Sequence, residues 1–167
     1  MKTDLTLNIE RHIRAYDPLE FDGIKINKFR PRHTFFEFPV ECGTTKCGLV
    51  DAVRICEYFS GERGAVRRVR YEGEPQILFV FFEVKVTARD FKSKNGHNFK
   101  GNLNYYVMPR SLFVEVKDSI PDGVGVICLD SKGWRLKRAR SSAFTSLSDE
   151  QEKWYLMTAV KKARGEK

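Results

Sequence analysis

The chain has 167 residues, of which 41% are apolar and 31% charged, and its formal net charge is +8. This length suits one domain with a real core, and the composition excludes a disordered chain. No apolar run approaches the roughly 18 to 20 residues that cross a bilayer, and Met1-Lys2-Thr3-Asp4 leads into no signal-peptide pattern.

Leu5, Ile9 and Ile13 recur at helical spacing, with Thr3 or Asp4 as N-cap; Pro18 and Gly23 close the helix and open a loop. Thr34 to Val40 is strand-like and rich in aromatics. A turn through Gly43-Thr44-Thr45 leads into Gly48 to Ile55, so the pair predicts a hairpin. Gly61, Gly64, Gly73 and Pro75 frame Arg63, Arg67, Arg68 and Arg70, either an exposed basic loop or a solvated turn. Ile77 to Val86 is the strongest strand, and its nearly unbroken apolar run predicts burial on both faces.

A short helix is expected from Ala88 to Lys92, ending near Asn95-Gly96, then a strand from Leu103 to Met108. Pro109 opens a helix through Phe113 and Val116. Pro121-Asp122-Gly123 turns into a buried strand from Val124 to Leu129, and Ser131-Lys132-Gly133 turns into Trp134-Arg135-Leu136-Lys137. Ser148 with Gln151 forms a capping box for a terminal helix through Trp154, Met157 and Val160, with a basic last turn. The order helix, three strands, helix, strand, helix, strand predicts a mixed α/β domain with helices flanking a sheet.

Two charges end the most apolar strand. Glu83 and Lys85 are two residues apart and project to one face. Asp51 interrupts the apolar run of the preceding strand, so pairing of the two strands brings Asp51 beside Glu83. Two close carboxylates repel unless a cation neutralises them. Lys85 supplies one charge. Mg²⁺ (or Mn²⁺) would supply two and take oxygen ligands from Asp51, Glu83 and the backbone carbonyl of Val84. Such a set suits phosphodiester hydrolysis, with Lys85 positioning water or stabilising phosphorane charge. Glu37, on the first strand, is a further candidate for catalysis and metal binding. The alternative is a structural salt bridge from Lys85 to Glu83 or Asp51.

Glu83-Val84-Lys85, then Ala88-Arg89-Asp90-Phe91, Asn104 to Pro109 and Gly125 to Asp130, resembles in order the PD-(D/E)XK nuclease superfamily. Within it, the chain is similar to the MmcB-like DNA-repair family from about Glu37 to Arg140. The resemblance implies a restriction-endonuclease-like α/β core, a mixed central sheet flanked by helices. It assigns Asp51 to the acidic position and Glu83 and Lys85 to the E-x-K. Glu37-Phe38-Pro39 resembles the upstream E-x-P. It also implies DNA as partner and a role in repair or in a mobile element. Gly48-Leu49-Val50 replaces the basic residues often found before the aspartate, and the linker from Lys92 to Asn102 is compact. The implied organisation is a nuclease-like domain over residues 1–147. A C-terminal basic amphipathic helix over 148–167 packs on it or extends from it.

His97 and Lys100, in the loop after the E-x-K strand, are candidates for phosphate contact, against a polar turn. Arg135 and Lys137 share one strand face and are candidates for nucleic-acid contact, against a solvated edge strand. The basic excess favours a polyanionic partner in any case. A cytoplasmic protein, with no membrane contact and room for a homo-oligomer, is expected, and its four cysteines would stay reduced. Cys42 and Cys47 could form half a zinc site. Cys56 and Cys128 are far apart, and His33 and His97 have no partner at diagnostic spacing, so core or hairpin cysteines are favoured. The competing functions are a nucleic-acid-binding module without turnover and a scaffold using the Trp154 helix.

Overall fold

The computed structural model describes residues 2–18, 20–28, 30, 32–40, 48–59, 75–94, 96–133 and 135–165. Several expectations lie outside these residues: the turn at Gly43-Thr44-Thr45, Cys42, Lys46 and Cys47, the stretch with Arg63, Arg67, Arg68 and Arg70, and Asn95 and Trp134.

Thr3 caps helix α1 (Asp4–Ala15) by accepting the Thr6 amide at 3.2 Å. Ile9 and Ile13 are buried, as the spacing predicts, while Leu5 is exposed. The expected loop then contains a hairpin, β1 (Glu20–Phe21) and β2 (Ile24–Lys25), turned by Asp22 and Gly23 at positive φ. Two-residue strands have no periodicity to read. This hairpin is held from outside itself: Phe21 is buried, and the Asp22 carboxylate accepts the Tyr105 hydroxyl and, at 2.8 Å, the Ser142 amide.

Six strands form the main sheet, β3 (His33–Val40), β4 (Gly48–Phe59), β5 (Pro75–Val84), β6 (Leu103–Pro109), β7 (Gly125–Leu129) and β8 (Leu136–Arg140), in that spatial order. β3, β4 and β5 are antiparallel neighbours, β6 and β7 run parallel to β5, and β8 returns antiparallel. A parallel step needs a crossover. Helix α2 (Ala88–Lys92) serves β5 to β6, and α3 (Arg110–Val116) with a 3₁₀ turn at Lys117–Ser119 serves β6 to β7.

From Leu78 to Val84 every residue of β5 is buried. Each buried apolar side chain of this size contributes roughly 1.5–3 kcal/mol, so this strand can carry the cost of charges at its end. One face of the sheet packs Ala52, Val80, Phe82 and Tyr105 with Ile9 and Ile13 of α1. On the other face, helix α4 (Asp149–Ala163) covers Phe38, Val53, Phe79 and Phe81, while α2 and α3 cover Tyr106, Met108 and Val126. The fold is therefore mixed α/β, a mixed sheet flanked by helices.

The capping box of α4 is present: the Ser148 hydroxyl accepts the Gln151 amide at 3.2 Å, and the Ser148 amide donates to Gln151 Oε1 at 3.0 Å. Its packed face differs from the expected one. Tyr155 and Ala159 are buried, Tyr155 against Phe79 and Phe81 at 5.4 Å between ring centres, while Met157 and Val160 are exposed. The helix thus packs on the sheet. Among the described residues, no helix is long and apolar enough to cross a membrane.

Candidate functional site

The ladder between β4 and β5 runs as far as Ala52 opposite Phe82. One step further, Asp51 faces Glu83, and here a side chain takes over: the Val84 amide donates to Asp51 Oδ2 at 2.7 Å. The alternation of faces also breaks at this step. Phe36 and its partner Ala52 pack toward α1, whereas Phe38 and its partner Val50 pack toward α4. Asp51 sits at that irregularity, where the strands separate and its carboxylate reaches across to β5.

Asp51 and Glu83 are hydrogen-bonded to each other through their side chains. Two carboxylates can bond only by sharing a proton. Burial, and then the neighbouring Asp51 charge, pushes the Glu83 carboxyl up to about 8. Burial also raises Asp51, opposed by the Val84 amide. Both carboxyls are thus raised, and the pair holds a proton between them.

Lys85 lies one residue past β5 and extends its pairing, its amide donating to the Val107 carbonyl at 3.0 Å. Its side chain is buried, and Nζ stands 3.6 Å from Asp90 Oδ1 of α2. Glu83 and Lys85 do share a face: a Cβ built on Gly96 would meet Lys85 Nζ at 2.7 Å and Glu83 Oε2 at 3.0 Å. Gly96 has φ +71°, so this position demands glycine for backbone and space alike. The following residues roof the site. The Asn98 amide faces Glu83 Oε1 at 3.4 Å, and its side-chain amide donates to the Leu49 carbonyl at 2.7 Å.

His97 holds that roof. A carbonyl can only accept, so Nε2 donates to Ser93 O at 2.8 Å, which leaves Nδ1 to accept from the Tyr106 hydroxyl at 2.5 Å. Both ring nitrogens are thereby used within the fold. Tyr106 is fully buried opposite Glu83 in the β5–β6 register, and burial, with Glu83, pushes its hydroxyl up to about 12.

Glu37 is not brought into this group. It has φ +50°, its side chain is 60% exposed, and its carboxylate pairs with Lys2 at 3.0 Å. The sequence made it a candidate ligand on the first strand; the broken alternation sends it to the edge instead. Lys100 lies in the loop beyond the roof, and its carbonyl accepts the Tyr155 hydroxyl at 3.1 Å. Lys137 is exposed on β8, and Arg135 precedes that strand, so neither approaches Glu83 through the sheet. Cys56 and Cys128 are buried core thiols, Cys56 pushed up to about 12 by burial.

Among the described residues, no group of three or more His, Cys, Asp or Glu side chains could hold a metal ion. The oxygen donors at the site are the Asp51 and Glu83 carboxylates and the Val84 carbonyl on the chain between Glu83 and Lys85. That hard, oxygen-only set fits Mg²⁺ or Mn²⁺, which commonly take one or two carboxylates and fill their remaining positions with water and phosphate. Zinc sites, by contrast, are usually built on His nitrogen or Cys sulfur, which this set lacks.

Sequence reasoning brought the loop with Asn98 toward the pocket but gave no role to Asp90, Gly96 and Tyr106, which position the pair and the lysine. Gly96 and Asn98 stood in a segment whose own turn chemistry already accounted for them. A signal did exist for another residue. Arg54 interrupts Ala52-Val53-Arg54-Ile55-Cys56 as Glu83 interrupts its strand, and it is buried beneath α1.

Comparison of the sequence with protein-family profiles gives no match, and neither does comparison with curated proteins. Among solved structures, the chain is similar to the SPO1766 protein of unknown function from Silicibacter pomeroyi, at 16% identity and a TM-score of 0.56. The likeness covers 96% of this chain and 84% of that one. At that identity, the resemblance is one of fold.

Proposed function

We propose that this chain is a metal-dependent nuclease-like protein that hydrolyses phosphodiester bonds in DNA, on a restriction-endonuclease-like core of the PD-(D/E)XK type. Its E-V-K, A-R-D-F and Y-Y-V-M-P segments resemble those of the MmcB-like DNA-repair family, and repair or mobile-element processing is the role we favour. The observation that carries the proposal is the proton-sharing pair of Asp51 and Glu83, with buried Lys85 alongside, at the end of the central strand. A structural ion pair would match charges one to one. Here Lys85, already 3.6 Å from Asp90, also lowers the pKa of both carboxylates, so this lysine is drawn toward three acids at once.

Asp51, Glu83 and the Val84 carbonyl would hold Mg²⁺ or Mn²⁺, which when bound polarises a phosphate and acidifies a water ligand. The protein's own share follows from its geometry. The Val84 amide fixes the Asp51 carboxylate, and Glu83 would release its proton to solvent if a cation took the proton's place. Lys85 offers its ammonium to charge developing on the phosphate, and Asp90 keeps that ammonium in place. The net charge of +8 draws DNA toward the molecule.

Incubation with single-stranded, duplex and branched DNA in Mg²⁺ or Mn²⁺, beside Asp51→Ala and Lys85→Ala, tests this directly. Cleavage should occur in at least one combination and fall about 100-fold or more in each variant. Cleavage that survives both substitutions would sink the assignment. Salt-dependent binding without cleavage, across all metals and substrates, would instead identify a nucleic-acid-binding module.

A further inference from the structure

A second charged site lies on the α1 face of the sheet, away from Glu83 and Lys85. A cavity of about 360 Å³, lined by Arg14, Asp17, Arg30, Arg32, Thr34 and Arg54, opens between the end of α1 and the paired strands β3 and β4. A water occupies about 30 Å³ in the liquid, so the space admits a phosphate group with part of whatever carries it.

Four guanidinium groups and one carboxylate line this cavity, and a second carboxylate reaches one of them from outside the lining. Asp17 is shared, standing 2.8 Å from Arg32 Nη2 and 3.6 Å from Arg54 Nη1. Glu57 reaches Arg30, at 3.7 Å. Arg14 lies over the Phe36 ring at 4.6 Å and, among the described residues, has no carboxylate within salt-bridge distance. Like charges crowded in this way are costly unless an anion joins them.

The four arginines are not equivalent. Arg54 is committed to the fold: Nε donates to the Thr34 hydroxyl at 2.8 Å, Nη2 to the Ile13 carbonyl at 2.9 Å, and Nη1 to the Tyr16 carbonyl. It neutralises the carbonyl end of α1, which would otherwise repel an anion, and forms a fixed wall. Arg32 is different. While Nη2 pairs with Asp17, its other terminal nitrogen is buried without a hydrogen-bond partner. Such a buried donor is rare in a finished structure.

We propose that this cavity binds a phosphate group, with Arg32, Arg14 and Arg30 as its donors and Arg54 as its wall. Planar guanidinium forks pair bidentately with phosphate oxygens, and a phosphate offers more oxygens and more charge to several of them than one carboxylate does. The phosphate can belong to a free ligand or to a nucleic-acid backbone. The inference does not rest on hydrolysis at Asp51 and Glu83, and the two fail separately because the test below reads binding only.

Calorimetric titration of the full chain at constant ionic strength, with inorganic phosphate, a nucleoside 5′-monophosphate and a short single-stranded oligonucleotide lacking a terminal phosphate, tests it. Saturable binding is expected, weakened about tenfold, roughly one charge-assisted contact, by Arg32→Gln. Asp17→Asn removes the competing carboxylate and should tighten binding. Circular dichroism confirms that each variant is folded. Binding of phosphate or the monophosphate supports the site and identifies a free ligand. Binding of the oligonucleotide alone, with the same Arg32→Gln loss, supports it and identifies a backbone phosphate. No saturable binding by any of the three, or full-strength binding in folded Arg32→Gln and Arg14→Gln, overturns the proposal.

Discussion

Asp51 and Arg54 are three residues apart on β4, and each puts a charge into an apolar strand. Arg54 is completed by its surroundings: a hydroxyl, two helix-end carbonyls and the Asp17 carboxylate take up its donors. Asp51 accepts the Val84 amide but faces another acid, Glu83, with which it shares a proton. Both charges cost desolvation, but one arrangement is finished, and on the reading proposed above the other would be completed by a cation from outside. A buried charge whose partners are all supplied by the chain is architecture. A buried charge whose best partner is missing from the chain's own residues is where chemistry is to be sought.

Removing the finished charge should damage the fold most. Arg54→Met keeps the volume but strips partners from the Ile13 and Tyr16 carbonyls and from Asp17. A loss of about 3 kcal/mol is expected in urea unfolding; a loss below the scatter of surface substitutions would remove the contrast. The unfinished charge should behave in the opposite sense. Glu83 is raised from the ordinary 4.5 to about 8, so its proton stabilises the metal-free fold at low pH. That stabilisation disappears as pH rises through this range. Glu83→Gln keeps a donor toward Asp51 and does not ionise, so the pH dependence should flatten. Near pH 9 the variant should be the more stable by on the order of 2 kcal/mol. Parallel pH profiles for the two proteins would show that Glu83 does not hold the proton.

Gly96→Ala should have the smallest effect of these and sharpen the comparison locally. The added methyl meets Lys85 Nζ at 2.7 Å in a left-handed backbone conformation, which costs about 1–2 kcal/mol. It should lower cleavage several-fold by displacing the lysine, while leaving DNA affinity near that of the parent in a filter-binding assay. Equal loss of both would mean that the roof shapes the DNA surface.

Much of this was legible in the sequence, for a physical reason. Long elements carry their own signals: the apolar run of β5, the Thr3 and Ser148 caps, and Pro109 ahead of α3 each act within a few residues. The meeting of Asp51 with Glu83 followed from strand pairing and two-residue periodicity. What escaped depends on partners far away in the chain. Hairpin β1–β2 exists through Tyr105 and Ser142, and Glu37 leaves the site because β3 changes face beside Asp51. The face of α4 also escaped, since Tyr155 and Ala159 are selected by Phe79 and Phe81 across the core rather than by the helix's own pattern.

The central claim is that Asp51 and Glu83 together are a cation site held by a proton in the metal-free protein. Titration of the purified protein with Mn²⁺ near pH 7, in two buffers of different ionisation enthalpy, reads cation and proton at once. Saturable binding with release of close to one proton is the predicted result, abolished in Asp51→Asn and without proton release in Glu83→Gln. Mn²⁺ binding of undiminished strength in Asp51→Asn, or no binding by the parent protein, would contradict it.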